Sequence, residues 1–460
     1  YHLFNMILAG LAGSLVFLLL NGPPFRVNRP AAFLAALLFS IHPVTSSCVY
    51  PAAGRETLLA AVLMLAALWG HLRAGTAWRA VTLVCVVLAL FAKEQAVVLP
   101  LVLAIADVLG LSAHPPGRSV REWLVRYVPM AAAVAAYLAI RHALFSGVLP
   151  LGIAMAEHPL KPIWSYAYAL QVTFAPFLHL VYEPPVSVWL DPVRLGSGLA
   201  AGAALLWATL RSPAGWKAAV FWVAWFVIAQ LPSANLLHQE TEFDERYVFV
   251  GMLAAPALAA MLLQGWWSIA GARRAGIACG AVGVAVLAGI SLERSGDFRD
   301  DLAFSSRWVQ SSPRSARARY YLGTTLADRG RLADAVAPLE TAIQLQPDMV
   351  DAYYNLGNVL LQMGEARAAI EHYRHALVHA PRKAKVLANL GVALIQVDQP
   401  REAAAYLRKA LHLDPGYADA HNNLGIALEA VGNLQGARQE FRRAVDLTPG
   451  SAVFIHNLQR

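Results

Sequence analysis

The sequence has 460 residues, of which 58% are hydrophobic and 14% carry a charged side chain. Soluble globular domains contain about 25% charged residues, so at least part of the chain is predicted to lie in an apolar solvent. Three widely spaced cysteines and the high apolar content exclude a disulfide-stapled or a disordered protein.

Charged residues are distributed unevenly along the chain. Residues 1–292 contain 17 Lys and Arg and 11 Asp and Glu, whereas residues 293–460 contain 20 and 18. We therefore predict a membrane domain over residues 1–292, a linker over 293–315 and a water-soluble domain over 316–460. The net charge of +8 is spread over both parts without a clustered basic face, so no nucleic-acid partner is predicted.

The first domain is predicted to be an all-α, multi-pass helix bundle. It contains about ten or eleven apolar segments that approach the roughly 20 residues needed to cross a bilayer. Loops with Arg and Lys alternate with loops that hold acidic residues, and the basic loops favour the cytoplasmic side. This pattern places the residues after 292 outside the cytoplasm. Residues 141–194 are predicted to cross the membrane either not at all or twice, and we favour an outer loop.

Polar residues flank the boundary between the second and third apolar segments. His42 lies at the predicted outer end of one helix, and Arg55 and Glu56 begin the following helix. Ionisable groups at membrane depth are costly and are often functional, which favours an outer cavity that contains these three side chains. The alternative is that they only cap helices and anchor a loop.

A charged triplet, Lys93-Glu94-Gln95, separates two apolar segments at the same predicted face. Lys93 is suited to bind a phosphate while Glu94 positions it or moves a proton. A neutralised turn, with Lys93 paired to Glu94, explains the triplet equally well. Asp107, near the inner end of the next segment, is predicted to satisfy a loop or to pair with a cytoplasmic arginine.

A third motif contains Asn235 and, further on, Glu245-Arg246-Tyr247 at the start of an apolar segment. Arginine beside tyrosine at a membrane interface suits a lipid phosphate, because the guanidinium binds two oxygens and the ring lies at headgroup depth. The alternative is ordinary aromatic anchoring beside an ion pair of Glu245 and Arg246. The sequence lacks a Gly-rich phosphate loop and the HExxH, GxSxG and CxxC motifs, so we predict no metal site and no serine hydrolase site.

The last domain has a period of 34 residues. Prolines and a Leu-Gly pair both recur at this interval; they are Pro313, Pro347, Pro381, Pro415 and Pro449, and Leu322-Gly323, Leu356-Gly357, Leu390-Gly391 and Leu424-Gly425. This is the tetratricopeptide pattern of two antiparallel helices per repeat. We predict four full repeats over 316–451 and the start of a fifth over 452–460, which form an α-solenoid with a groove for a peptide or partner helix.

Asparagine precedes the leucine of the Leu-Gly pair, or of its counterpart, in four repeats. These residues are Asn355, Asn389, Asn423 and Asn457. Side-chain amides repeated along a groove are suited to bond a peptide backbone whatever its sequence. Asparagine in this register also has a structural alternative, in which it only supports the repeats.

Taken in order, the three motifs and the repeats resemble the transmembrane and tetratricopeptide-repeat-containing protein O-mannosyltransferases and their bacterial relatives, which are membrane glycosyltransferases of the GT-C fold. The resemblance covers nearly the whole chain. It implies transfer of mannose or a similar hexose from a polyprenyl-phosphate donor to Ser or Thr of a protein on the extracytoplasmic face, with the repeats recruiting that acceptor. It also implies a multi-pass protein of a bacterial inner membrane. The lipid-linked sugar is its donor substrate, no other cofactor is identified, and a metal requirement is left open.

The same resemblance implies roles for the polar residues. Arg55, Lys93, Arg246 and Tyr247 would bind the donor phosphate, and His42, Gln95 and Asn235 would line the cavity. Glu56, Glu94 and Glu245 would support the reaction. The catalytic base of this family usually lies in a first outer loop, which we expect upstream of Tyr1.

Two other classes of function remain open from the sequence. One is a non-catalytic, membrane-anchored repeat scaffold for envelope protein complexes, in which substitution of Lys93 or Arg246 by alanine leaves activity intact. The other is a transporter of lipid-linked sugars. A transporter predicts internal symmetry within the bundle and polar residues at the membrane midplane, whereas these motifs lie near the predicted outer end.

Overall fold

The computed structural model describes most of the chain in two compact units, Tyr1–Arg299 and Asp300–Arg460. The described residues are 2–49, 54–117, 119–144, 161–174, 192–210, 216–232, 248–267 and 272–459. These residues contain helices and turns but no strand, which confirms the prediction of an all-α protein.

The described residues of the first unit form twelve α-helices. They are α1 (His2–Asn21), α2 (Arg29–Ile41), α3 (Pro43–Val49), α4 (Arg55–His71), α5 (Thr76–Ala92), α6 (Leu99–Val108), α7 (Val120–Leu144), α8 (Lys161–Phe174), α9 (Pro192–Leu210), α10 (Trp216–Gln230), α11 (Ala254–Trp267) and α12 (Ala272–Ser295). Helices α4 and α5 form an antiparallel hairpin, and α1 packs against α2 and α4. Single-turn helices over Glu94–Val98, Gly251–Leu253 and Gly296–Phe298 connect some of them.

The core of this unit is built from aliphatic and aromatic side chains. Trp222 and Trp225 of α10 are almost completely buried. Phe25 packs on Trp222 with ring centroids 5.1 Å apart, and Phe39 packs on Phe249 at 5.2 Å. Alanines such as Ala31 and Ala35 on α2 are buried as well, and their small side chains allow helices to approach closely.

Several helices of the first unit are apolar on faces that the protein does not cover. Three helices among the described residues have the length and composition to cross a membrane: His2–Asn21, Val120–Leu144 and Ala272–Phe298. Only 6% of the most apolar window of α7 is buried, and 11% of the corresponding window of α12. Shorter apolar helices include α2, α5 and α10. The predicted outer loop over 141–194 lies partly outside the described residues. The number of times that it crosses the membrane therefore stays a prediction.

The second unit is a series of helices in antiparallel pairs. They are α13 (Asp301–Ser311), α14 (Ala316–Asp328), α15 (Leu332–Leu345), α16 (Val350–Gln362), α17 (Ala366–His379), α18 (Ala384–Gln396), α19 (Pro400–Leu413), α20 (Ala418–Ala430), α21 (Leu434–Leu447) and α22 (Ala452–Gln459). We call α14, α16, α18, α20 and α22 the A helices, and α15, α17, α19 and α21 the B helices. Each predicted repeat consists of one A helix followed by one B helix.

The Leu-Gly pair is explained by the packing within each repeat. Gly357 of α16 faces the buried ring of Tyr373 on α17, and a Cβ atom at this position would lie 2.6 Å from the ring. Gly391 faces Leu407 in the same way. Glycine is therefore required for close approach of the A and B helices, and not for an unusual backbone angle.

The segment predicted as a linker over 293–315 is largely helical. Asp300 is the N-cap of α13, where its carboxylate accepts hydrogen bonds from the backbone N–H groups of Leu302 and Ala303. Trp308 of α13 stacks on Tyr321 of α14 with ring centroids 5.3 Å apart. Helix α13 therefore packs on the first A helix of the repeat array.

Candidate functional site

Lys93 is the centre of a polar cluster at one end of the α4–α5 hairpin. The side chain follows the last residue of α5 and is buried, and its ammonium group donates a hydrogen bond of 2.7 Å to Thr57 Oγ1. The carboxylate of Glu56 lies 3.6 Å from the ammonium nitrogen. A buried lysine is costly unless it is paired and hydrogen-bonded, and these two neighbours on α4 supply both interactions.

A second ion pair involves the neighbouring residue of the triplet. Glu94 lies 3.6 Å from Arg141 near the end of α7, and Arg141 also donates to the hydroxyl of Tyr137 at 2.9 Å. Lys93 and Glu94 are therefore each held against a different helix, α4 and α7. The sequence patterns did not indicate Thr57, which follows Glu56 in α4, or Arg141, which precedes His142 near the end of α7.

Three other residues of the first two motifs also lie at helix ends. His42 is buried directly after α2, and its Nδ1 accepts a hydrogen bond of 3.3 Å from the backbone N–H of Val44. Gln95 is buried in the single-turn helix after Lys93, whereas Arg55 is exposed at the first turn of α4.

The third predicted motif lies between the described residues 216–232 and 248–267. Asn235, Glu245, Arg246 and Tyr247 lie outside the described residues. The donor-phosphate site therefore stays a prediction for all four of its residues. From the first two motifs, the structure brings Glu56 and Lys93 together.

Asp107 forms a buried cluster at the other end of the same hairpin. Its carboxylate accepts hydrogen bonds from Arg126 at 2.5 Å, Tyr127 at 2.6 Å and Ser112 at 2.5 Å. His71, the last residue of α4, lies 3.1 Å from the same carboxylate. The predicted pairing of Asp107 with an arginine is confirmed for Arg126, while His71 was missed.

The two clusters mark opposite ends of α4. Thr57 and His71 are separated by about 21 Å along the axis, from a rise of 1.5 Å per residue. The intervening buried residues of α4 are apolar; they include Leu58, Ala61, Met64 and Leu65. Charged groups thus lie at both ends of an apolar layer.

The asparagines of the repeats form hydrogen bonds between neighbouring A helices. The side-chain amide of Asn355 donates to the hydroxyl of Tyr320 at 2.9 Å. Asn389 donates to Asn358 at 2.8 Å, and Asn457 donates to Asn422 at 2.8 Å. These amides therefore link one repeat to the next, which is the structural alternative, and their direct contact with a peptide stays a prediction.

Tyrosines take part in the same hydrogen-bond network. The hydroxyl of Tyr373 donates to Asn358 at 2.7 Å. Burial raises the pKa of Tyr373 well above its usual value, and burial together with the charge of Asp351 raises the pKa of Tyr320. Both hydroxyls stay neutral at physiological pH, so the network does not change its charge there.

Asn423 occupies the predicted register in α20 and is half-buried. Its side-chain oxygen accepts a long hydrogen bond of 3.5 Å from the amide of Asn422. Among the described residues, no group of three His, Cys, Asp or Glu side chains is placed to hold a metal ion.

Comparison with protein families identifies the repeats. Tetratricopeptide-repeat models match residues 323–364, 348–415 and 389–452. The C-terminal region therefore contains tetratricopeptide repeats, as predicted, and such repeats bind peptides or partner proteins. These matched segments lie after residue 322, and no curated protein matches the chain. The resemblance to O-mannosyltransferases stays a prediction.

Solved structures that resemble this chain cover part of it. YrrB, described as a tetratricopeptide-repeat protein with an unusual peptide-binding site, is 22% identical over 39% of this chain and 90% of its own, with a TM-score of 0.32. MamA from Desulfovibrio magneticus RS-1 is 23% identical over 39% of this chain and 94% of its own, with a TM-score of 0.31. The Pseudomonas aeruginosa protein pilF is 28% identical over 31% and 65%, with a TM-score of 0.30.

Proposed function

We propose that this protein is a membrane-anchored interaction protein, in which the first unit lies in a lipid bilayer and the tetratricopeptide repeats bind a partner polypeptide. The observation that carries the proposal is the combination of a repeat array with helices whose apolar faces are uncovered. It corresponds to the membrane-anchored repeat scaffold that the sequence leaves open.

Membrane insertion is supported by the exposure of apolar side chains. Large apolar residues on α7 and α12, such as Val120, Val125 and Val282, have more than half of their surface exposed. Soluble monomers rarely expose contiguous apolar patches larger than a few hundred Å². A bilayer removes this cost, and the polar clusters at the two ends of α4 then lie toward its two surfaces.

Partner binding is supported by the continuous surface of the A helices. The Asn–Tyr and Asn–Asn hydrogen bonds join α14 to α16, α16 to α18 and α20 to α22, so that an extended surface is already formed before a partner arrives. A preformed surface lowers the conformational entropy that binding would otherwise cost. We place the repeats on the extracytoplasmic side, as the charge pattern of the loops predicts.

A photo-crosslinking experiment in native membranes tests the proposal. A benzophenone amino acid is placed at Tyr321, which is 46% exposed on an A helix, or at Val378, which is 73% exposed on a B helix. We expect a discrete cross-linked product from position 321 and none from position 378, and we expect the protein to stay with the membrane after alkaline carbonate extraction. Release by carbonate refutes the anchor, and equal cross-linking at both positions refutes partner binding on the A helices.

The side of the membrane is tested with an impermeant thiol reagent on intact cells. Gln362→Cys introduces a thiol at an exposed end of α16 in a chain in which the exposed Cys279 is changed to serine. We expect labelling without permeabilisation. Labelling only after permeabilisation places the repeats in the cytoplasm.

A sugar transferase of the GT-C type is a second candidate, favoured by one specific observation. The Lys93 ammonium is buried beside Thr57 and Glu56 at a helix end, where a lipid phosphate at the bilayer surface would be within the range of a lysine side chain. The phosphate would accept hydrogen bonds from Lys93, which would stabilise the charge that develops on the leaving group. In this candidate the repeats would recruit the acceptor protein.

The transferase is tested with labelled polyprenyl-phosphate sugars added to membranes that contain the full chain. Transfer predicts label on a protein, which falls at least about tenfold with Lys93→Met because one charge-assisted contact to the leaving group is lost. The matched control is Lys217→Met, since Lys217 is an exposed lysine at the start of α10. Label that is absent with every donor leaves the interaction protein alone, and label that is unchanged in Lys93→Met contradicts a role of Lys93 in the transfer.

A further inference from the structure

A cavity of about 740 Å³ lies between the B helices α19 and α21. Its apolar floor includes Leu424 and Leu428 of α20, and its rim includes Arg408 on α19 and Gly436 on α21. The cavity lies between B helices, whereas the surface proposed above for a partner is formed by the A helices. The A helix α20 contributes the floor of the cavity.

The preceding repeat shows what occupies the equivalent place. There, Arg374 of α17 forms an ion pair of 3.1 Å with Glu402 at the start of α19. A second carboxylate, that of Glu371, lies 3.6 Å from the same guanidinium. Arg374 is thus bracketed by two acidic side chains, one from its own helix and one from the next B helix.

One repeat later, the arginine is kept and both acidic residues are absent. A shift of 34 residues aligns Arg374 with Arg408, Glu371 with Ala405, and Glu402 with Gly436. Among the residues that the structure describes, no carboxylate forms an ion pair with Arg408. The exchange of glutamate for glycine also removes the side chain that would otherwise extend over the cavity.

The other charged groups on the cavity wall are differently placed. Glu440 is engaged by His421 at 2.6 Å and by Arg443 at 3.1 Å. Asp446 lies about 15 Å further along α21 than Gly436, from the helical rise. The end of the cavity beside Arg408 and Gly436 therefore keeps a net positive charge.

We propose that this cavity is a second protein-binding site, which takes an aspartate or glutamate side chain of a partner polypeptide. The partner carboxylate accepts two hydrogen bonds from the planar guanidinium of Arg408, at the place that Glu402 holds beside Arg374 in the repeat before. The methylene groups of the acidic side chain lie on the floor formed by Leu424 and Leu428.

Two peptide pools test the proposal with the full chain in detergent micelles. Both contain fluorescent heptapeptides with uncharged residues at all variable positions; one has a central glutamate and the other a central glutamine. We expect the glutamate pool to bind about tenfold more tightly, because the pools differ only in the charge-assisted contact. Fluorescence polarisation reports binding.

Variants on both sides of the cavity locate the binding site. Arg408→Gln is expected to abolish the preference for glutamate. Gly436→Glu is expected to abolish it as well, since the new carboxylate occupies the guanidinium from within the chain. Gly436→Gln is the matched control, because its Cβ meets the same Asn433 side chain at 2.8 Å but brings no charge. Arg374→Gln is the control for loss of an arginine, because the Arg374 guanidinium is already paired with two carboxylates of the chain.

Chemical labelling gives a second readout that does not depend on a variant folding. Phenylglyoxal is expected to modify Arg408 faster than Arg374 in the wild-type chain, as measured by mass spectrometry, and the glutamate pool is expected to protect Arg408. The proposal is overturned if both pools bind equally or neither binds, if Arg408→Gln keeps the preference, or if the glutamate pool leaves Arg408 unprotected.

Discussion

Substitution of Gly357 by alanine tests the packing that defines the repeat. In an ordinary helix interior this change stabilises by about 1 kcal/mol, because alanine loses less backbone entropy than glycine. Here the added Cβ would lie 2.6, 2.8 and 3.0 Å from three atoms of the Tyr373 ring. The ring cannot easily retreat, since it is fully buried and its hydroxyl donates a hydrogen bond to Asn358.

Overpacking of this kind costs about 1–3 kcal/mol, and three contacts this short place Gly357→Ala in the upper part of that range, at about 2–3 kcal/mol. Subtraction of the helix-propensity gain of about 1 kcal/mol leaves an expected net loss of about 1–2 kcal/mol. Hydrogen exchange of the full chain in detergent, read by mass spectrometry, measures the loss as amide exchange in α16 and α17 that is roughly 5–30 times faster. Gly450→Ala is the control, because nothing lies within 4 Å of its Cβ. Exchange in Gly357→Ala that is unchanged or slower than in the wild type would refute the close approach of the two helices.

Three further changes test other contacts. Asp107→Asn removes the charge opposite the buried Arg126 side chain. It is expected to lower the free energy of unfolding by about 3 kcal/mol. A Tm in detergent equal to that of the wild type would contradict the buried ion pair. Asn389→Ala removes the hydrogen bond to Asn358 and is expected to lower the stability of the repeats by about 1 kcal/mol. Faster amide exchange in α18 measures this loss, and unaltered exchange there argues against the hydrogen bond. The backbone N–H groups that Asp300 caps hold the pKa of its carboxyl below the usual value. The carboxylate therefore stabilises α13 fully above about pH 4, and this stabilisation is lost as the pH falls through the folded-state pKa. Amide exchange in α13 is therefore expected to accelerate at acidic pH in the wild type but not in Asp300→Asn, and the same acceleration in both would contradict this cap.

The repeat fold was predictable from residues that lie close in sequence. Gly357 and Tyr373 are on adjacent helices joined by a short turn, and their spacing recurs at Gly391 and Leu407. Each such pair depends only on the local geometry of one helical hairpin. A 34-residue period therefore contains enough information to predict the helices, their pairing and the buried small residues.

Contacts between distant helices were not predictable in the same way. The sequence placed Lys93 and Glu56 at the same predicted face, and it left open whether Lys93 binds a phosphate or pairs with Glu94. Instead the structure places Lys93 against Thr57 and Glu56 of α4, and Glu94 against Arg141 of α7. The rotation of each helix about its axis decides these partners, and hydrophobic periodicity leaves that rotation undetermined when a helix is apolar on all sides.

The sequence by itself determined that the protein is helical, that it has an apolar part, and that the remainder is built of tetratricopeptide repeats. These properties follow from composition and from periods that need no long-range contact. Only the tertiary structure decided that Asn355, Asn389 and Asn457 bond between A helices. It also decided that a cavity lies beside Arg408, where the two acidic side chains that flank Arg374 have no counterpart. Both results depend on how one repeat stacks on the next, because stacking brings together side chains that the chain separates by about thirty residues.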